Sequence, residues 1–183
     1  MAILDIYTYP DPVLKRIADP VKVVDDKLQQ LIRDMADTLY SVHGIGLAAP
    51  QVGVSKRLLL YDLERKDLDE GISEEERLNR RDYKVIINPE VLSAEGEVLS
   101  EKEGCLSVPD FRTDVQRFKM VHIKAMDENK NEINIETEEY LGIVLQHEID
   151  HLNGILLVDY VSSLKREMYK RRIKKKRKTK KKK

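Results

Sequence analysis

Thr137-Glu138-Glu139-Tyr140-Leu141-Gly142-Ile143-Val144-Leu145-Gln146-His147-Glu148-Ile149-Asp150-His151-Leu152-Asn153-Gly154 is the stretch on which the reading of this chain turns. Thr137 can cap a helix, Glu138 and Glu139 suit the positive end of its dipole, and Gly154 stands where such a helix would stop. The predicted helix carries His147, Glu148 and His151 as an HExxH sequence. Residues four apart on a helix stand one above the other, so both imidazoles reach one cation, and Glu148, about 100° around the axis, flanks it. A catalytic metal site takes three protein ligands and keeps a position for water, so a third ligand is required.

Histidines on an apolar helix are often core residues satisfied by hydrogen bonds, so HExxH is not decisive by itself. In the extended zinc-protease pattern HExxHxxGxxH, a third histidine follows the glycine by three residues; here that position is Leu157. The only acid after Asp159 is Glu167, inside a strongly basic tail. Attention therefore moves upstream to the single cysteine, Cys105, in Glu103-Gly104-Cys105-Leu106-Ser107.

A chain of 183 residues supports one domain with a real core. Its formal net charge of zero conceals a division. Residues 165–183 hold fourteen Lys or Arg and one acid, whereas residues 1–164 hold 19 basic and 32 acidic residues. A lone cysteine forms no internal disulfide, and a metal-bound thiolate favours a reducing compartment, so a cytoplasmic location is expected. The N-terminal residues show no signal-peptide pattern, and no apolar run approaches the roughly 20 residues that span a bilayer.

Pro10, Pro12 and Pro20 predict an irregular opening segment. From Asp25 or Asp26 as cap, Leu28, Leu31, Ile32, Met35, Leu39 and Val42 recur at spacings of three and four, predicting an amphipathic helix to Gly44. Gly44 to Gln51 reads as a loop permitting close backbone approach. Leu58 to Leu63 and Val85 to Asn88 read as buried strands, separated by a charged, solvated excursion over residues 64–82. A hairpin follows from Val121 to Ile135, turning at Asp127 to Asn131.

Three motifs in order, GxGLAAxQ at Gly44–Gln51, EGCLS at Glu103–Ser107 and QHExDHLxG at Gln146–Gly154, resemble those of the peptide deformylases. The similarity runs over about residues 3–164. It implies an α+β fold, a single domain in which antiparallel sheets pack around the central motif helix; residues 165–183 lie outside the resemblance, and their composition predicts a basic tail, partly helical or disordered. It further implies that Cys105, His147 and His151 bind the metal, natively Fe(II), with Zn(II), Ni(II) or Co(II) able to substitute. The implied reaction removes the N-formyl group from the formyl-methionine of nascent polypeptides and releases formate. Glu148 would carry the proton, and the Gln51 amide and Leu106 N–H would stabilise the developing oxyanion.

For the methionine side chain, Tyr140 and Val144 lie on the His147 face of the helix, and Ile45 and Ile143 are further pocket candidates. Gly46 and Gly104 would meet the substrate backbone as an added strand, and Arg112 would stand at the pocket mouth. His43, at a helix end, and His122, turned away from Val121 and Ile123, are set aside. Asp150, turned from both histidines, is expected in a structural ion pair. The basic tail could contact rRNA on the ribosome; neither DNA nor membrane is an expected partner. Two rival readings are an HExxH metallopeptidase and a non-enzymatic RNA-binding protein with a structural metal.

Overall fold

The computed structural model describes residues 2–64 and 71–180. In chain order the elements are α1 (Asp26–Ser41), β1 (Gly46–Ala48), β2 (Leu58–Tyr61), α2 (Glu74–Asn79), β3 (Lys84–Glu95), β4 (Val98–Gly104), β5 (Arg112–Arg117), β6 (Met120–Met126), β7 (Glu132–Thr137), α3 (Glu139–Leu152) and α4 (Ser163–Lys180). The fold is α+β and forms a single domain. One antiparallel sheet has the order β1-β2-β3-β6-β7, and β4 pairs with β5 in a second.

The apolar run Leu58-Leu59-Leu60 shows how the layers form. Successive strand residues face opposite sides, and both sides of this strand are covered. Leu58 and Leu60, with Leu47, Val85 and Ile87, pack against Leu28, Ile32, Met35 and Leu39 of α1. Leu59, with Ala48, Ile86, Val121 and Ile123, packs against Leu145, Ile149 and Leu152 of α3. The five-stranded sheet is thus a middle layer, and α3 is held between it and the β4–β5 pair.

Asp25 caps α1 by accepting from the Leu28 N–H at 2.9 Å. The helix stops at Ser41, short of the expected Gly44, where the backbone turns through His43 at φ 53°. The segment expected as a loop, Gly44–Gln51, contains β1 and enters a 3-10 turn at Ala49–Val52. Three residues are too few for a periodic signal, but Leu47 and Ala48 are fully buried and register with Leu60 and Leu59.

Strand β3 is also longer than its buried run predicts, because beyond Ile87 it carries the exposed Val91 and Leu92. Its irregular joint is Asn88, at φ 51°, whose amide oxygen accepts from the Val21 N–H and whose NH2 donates to the Val21 carbonyl, both at 2.8 Å. Asn88-Pro89-Glu90 therefore pins the N-terminal segment to the sheet. Of the charged excursion, residues 65–70 lie outside the described residues; α2 follows, and Arg81 pairs with Asp37 at 2.7 Å.

The expected cap of α3 is corrected: Thr137 is the last residue of β7, and its hydroxyl donates to the Glu138 carbonyl. Glu138 occupies the cap position without a side-chain hydrogen bond. At the other end, Gly154 adopts φ 71°, its N–H donates to the His151 carbonyl, and the Ile155 N–H donates to that of Asp150. This pair of bonds is the left-handed glycine termination that closes a helix.

Helix α4 runs to Lys180, so the tail expected to be partly helical or disordered is helical that far despite the repulsion among its basic side chains. Docking offsets that repulsion. Tyr169 and Ile173 are buried with Tyr9, Phe111 and Leu157, and the Tyr169 hydroxyl donates to the Pro109 carbonyl at 2.8 Å. Arg172 and Lys176 donate to the carbonyl and carboxylate of Asp110, each at 2.7 Å. The expected boundary at residues 164 and 165 falls inside this helix. Among the described residues no helix is long and apolar enough to cross a membrane.

Candidate active site

Helical spacing sets His147 and His151 on one face of α3, their ring centroids 5.1 Å apart. The turn after β4 brings Cys105 to the same face, with its Sγ 3.1 Å from His151 Nε2. One ligand atom from each of Cys105, His147 and His151 lies within 4.8 Å of the others. His147 Nδ1 is engaged by Glu103 Oε2 at 2.9 Å, which leaves its Nε2 to face the centre.

Glu103 is in turn gripped by Arg117, whose Nε and Nη2 donate to its two oxygens at 2.9 Å each. Burial alone would raise the Glu103 pKa, but the Arg117 and His147 hydrogen bonds hold it at about 2. At His147 burial favours the neutral ring, yet hydrogen bonding to Cys105 and Glu103 lifts its pKa well above the ordinary value. Burial and the His147 and Arg117 charges keep His151 far below it, hence neutral and ready to coordinate.

One thiolate-forming sulfur and two imidazoles are a fit donor set for a divalent transition metal.

Glu148 lies beside the triad, buried, with no hydrogen-bond partner for Oε2 among the described residues. Burial pushes its pKa up to about 7, against the lowering effect of His147. Its other oxygen rests on Gly46, where an added Cβ would collide with the carboxylate and stand 2.8 Å from Cδ and 2.9 Å from Cγ. The glycine thus has a second use beyond backbone approach: it makes room for Glu148. Gln51 is buried, its carbonyl oxygen fixed by the Ala48 N–H at 2.8 Å. Its NH2 therefore points to Cys105 Sγ, at 3.7 Å, and Ser107 Oγ, at 3.3 Å.

These groups open into a cavity of about 630 Å³. Ile45, Gly46, Gln51, Gly104, Cys105, Leu106, Arg112, Tyr140, Ile143, Val144, His147 and Glu148 all line it, and His151 lies buried beneath. Tyr140 is half exposed at the rim, whereas Val144 is buried in the wall. Arg112 donates to the Lys102 carbonyl at 3.1 Å. His43, set aside on sequence grounds, also lines the wall. Arg117 was missed because nothing in its neighbourhood marks it; Glu103 was visible only as the first letter of its motif. Asp150 makes the expected ion pair, with Arg117 Nη1 at 2.6 Å.

The polypeptide deformylase family profile matches residues 3–167. The chain belongs to the polypeptide deformylase family. A peptide deformylase of Desulfosudis oleivorans is 49% identical over 175 residues, spanning 96% of this chain and 95% of that protein. One of Thermodesulfovibrio yellowstonii is 47% identical over 95% of this chain and 98% of its own. The crystal structure of the Legionella pneumophila peptide deformylase superposes with a TM-score of 0.84 at 43% identity, covering 100% of this chain and 99% of that one. That from Ehrlichia chaffeensis in complex with actinonin gives 0.84 at 37% identity, over 96% and 98%. As a polypeptide deformylase, the chain is a metal-dependent hydrolase that removes the N-formyl group from nascent polypeptides.

Proposed function

We propose that Cys105, His147 and His151 hold the catalytic metal, Fe(II) natively, and that Glu148 is the proton carrier of the deformylation. The observation that carries this reading is the convergence of the three ligand atoms within 4.8 Å beside a buried, unpartnered carboxylate oxygen. Zn(II), Ni(II) or Co(II) suits the same donors. When bound, the metal supplies a Lewis acid that lowers the pKa of water and polarises the formyl oxygen.

Glu148 takes the proton of the attacking water and returns it to the departing methionyl amine, so formate and a free amine result. Burial of the Glu148 carboxylate, which favours its protonated form, supports a group that gives the proton back as well as taking it. As the formyl carbon becomes tetrahedral, the Gln51 NH2 and the Leu106 backbone N–H donate to its oxygen. The fixed orientation of Gln51 supports that role, because its carbonyl end is already taken by Ala48. The methionine side chain enters between Ile45, Ile143 and Val144, with Tyr140 at the rim. Its backbone runs along β1 at Gly46 and along β4 at Gly104, and Arg112 closes the mouth.

The test is formate release from a formyl-Met peptide by anaerobically purified protein, with metal measured on the same sample. Glu148→Gln is expected to lose at least about a thousandfold in turnover with metal retained. Metal-loaded wild type that cleaves unformylated Met peptides instead, or a Glu148→Gln variant of normal rate, would overturn the assignment.

A second part of the proposal concerns α4, whose exposed basic face supports a contact with rRNA during synthesis in the cytoplasm. Replacing Arg171, Lys174 and Lys175 by Gln should weaken ribosome binding and flatten its salt dependence while leaving peptide turnover unchanged. Equal affinity of wild type and variant at low salt would sink it.

A further inference from the structure

Behind the metal ligand His147, hydrogen bonds continue far beyond Glu103. Arg117, its side chain only 3% exposed, donates to both Glu103 oxygens through Nε and Nη2 and to Asp150 Oδ2 through Nη1 at 2.6 Å. Asp150 Oδ2 also accepts from the Tyr160 hydroxyl at 2.7 Å. The guanidinium carbon lies 5.2 Å from the centroid of the Tyr160 ring, which covers it from solvent. Four elements contribute the five residues: β4 gives Glu103, β5 gives Arg117, α3 gives both Asp150 and His147, and the turn before α4 gives Tyr160.

We infer that Asp150 and Tyr160 are positioning residues for the metal centre, acting through Arg117 and Glu103 on the orientation and donor strength of His147. The physical reason is the sharing of one guanidinium between two carboxylates. Arg117 meets Glu103 in a fork whose plane is set by where its remaining nitrogen is anchored, and Asp150 is that anchor. Tyr160 fixes the anchor by holding the oxygen that Arg117 uses, so the Asp150 carboxylate does not rotate away. Glu103 in its fixed plane holds the Nδ1 side of His147 and thereby aims Nε2 at the metal. An electrostatic account without direction would need only charge balance near Arg117. The directional account requires the Tyr160 hydroxyl as well.

This inference rests on the reading of Cys105, His147 and His151 as metal ligands, and the experiment separates the two. Co(II) is added to metal-free wild type, Tyr160→Phe and Asp150→Asn; the dissociation constant is measured against a competing chelator and the visible ligand-field spectrum recorded. Tyr160→Phe keeps the ring over Arg117, and its melting temperature in the metal-free state serves as the folding control. The expected result is a shifted Co(II) spectrum in both variants, with affinity weakened about threefold to tenfold in Tyr160→Phe and about tenfold to a hundredfold in Asp150→Asn. Spectra and affinities equal to wild type, with melting temperature changed or not, would show that the network is only structural. Failure of wild type to bind Co(II) would overturn the ligand assignment itself, and the inference with it.

Discussion

Glycine 46 illustrates how much of this site depends on a group that is missing. Substituting alanine puts a methyl where the Glu148 carboxylate now rests, and the flexible acid, not the paired strand, is what gives way. Gly46→Ala is therefore expected to lower turnover about a hundredfold by a displacement on the order of 1 Å, with metal content and fold retained. Steady-state kinetics, metal analysis and circular dichroism on one preparation check it. The sequence made the chemistry of the ligands legible, because side-chain type and spacing carry it, but not this contact. Gly46 and Glu148 are 102 residues apart, and only the packing of α3 on β1 shows why the position tolerates nothing larger.

Elements were legible where burial has a period and illegible where it does not. α1 and the β6–β7 hairpin follow from their apolar spacing, while β1 is too short for one and β4–β5 alternates with side chains that are polar on the outside and partly polar within. The buried charged residue there is Arg117, which its charge alone assigns to the exposed face. Its partner Glu103 ties β4 to α3 and has a consequence for acid stability. The folded-state pKa of about 2 lies below the ordinary 4.5, so the stabilising contribution is complete above about pH 4.5 and is lost as pH falls toward 2. Urea unfolding of metal-free protein at pH 6, 4 and 3 should show this decline, and Glu103→Gln should begin less stable and fall less steeply over the same range. Parallel pH profiles for the two proteins would refute that origin.

Across the whole molecule, the charge division read from the sequence is real, but its meaning changes once α4 is seen. The basic segment does not hang free: Tyr169 and Ile173 seat it against Phe111 and Leu157, and its Arg172 and Lys176 find Asp110. Composition counts charges without their partners, so it overstated the repulsion. The same long-range construction governs the proposed ligand set. Cys105 and His151 stand 46 residues apart in sequence and meet only when the β4–β5 pair has docked on α3. Such a site forms late, after the costly non-local closure has been made. Metal should then act as a latch on a door already shut: added to refolding protein it leaves the folding rate unchanged, and it slows unfolding in proportion to the affinity gained. Stopped-flow refolding and unfolding with and without Zn(II) would register the asymmetry, and a metal-accelerated folding phase would show that the ligands meet before the sheets do. The lifetime of the native enzyme, more than the speed with which it is reached, is what its metal sets.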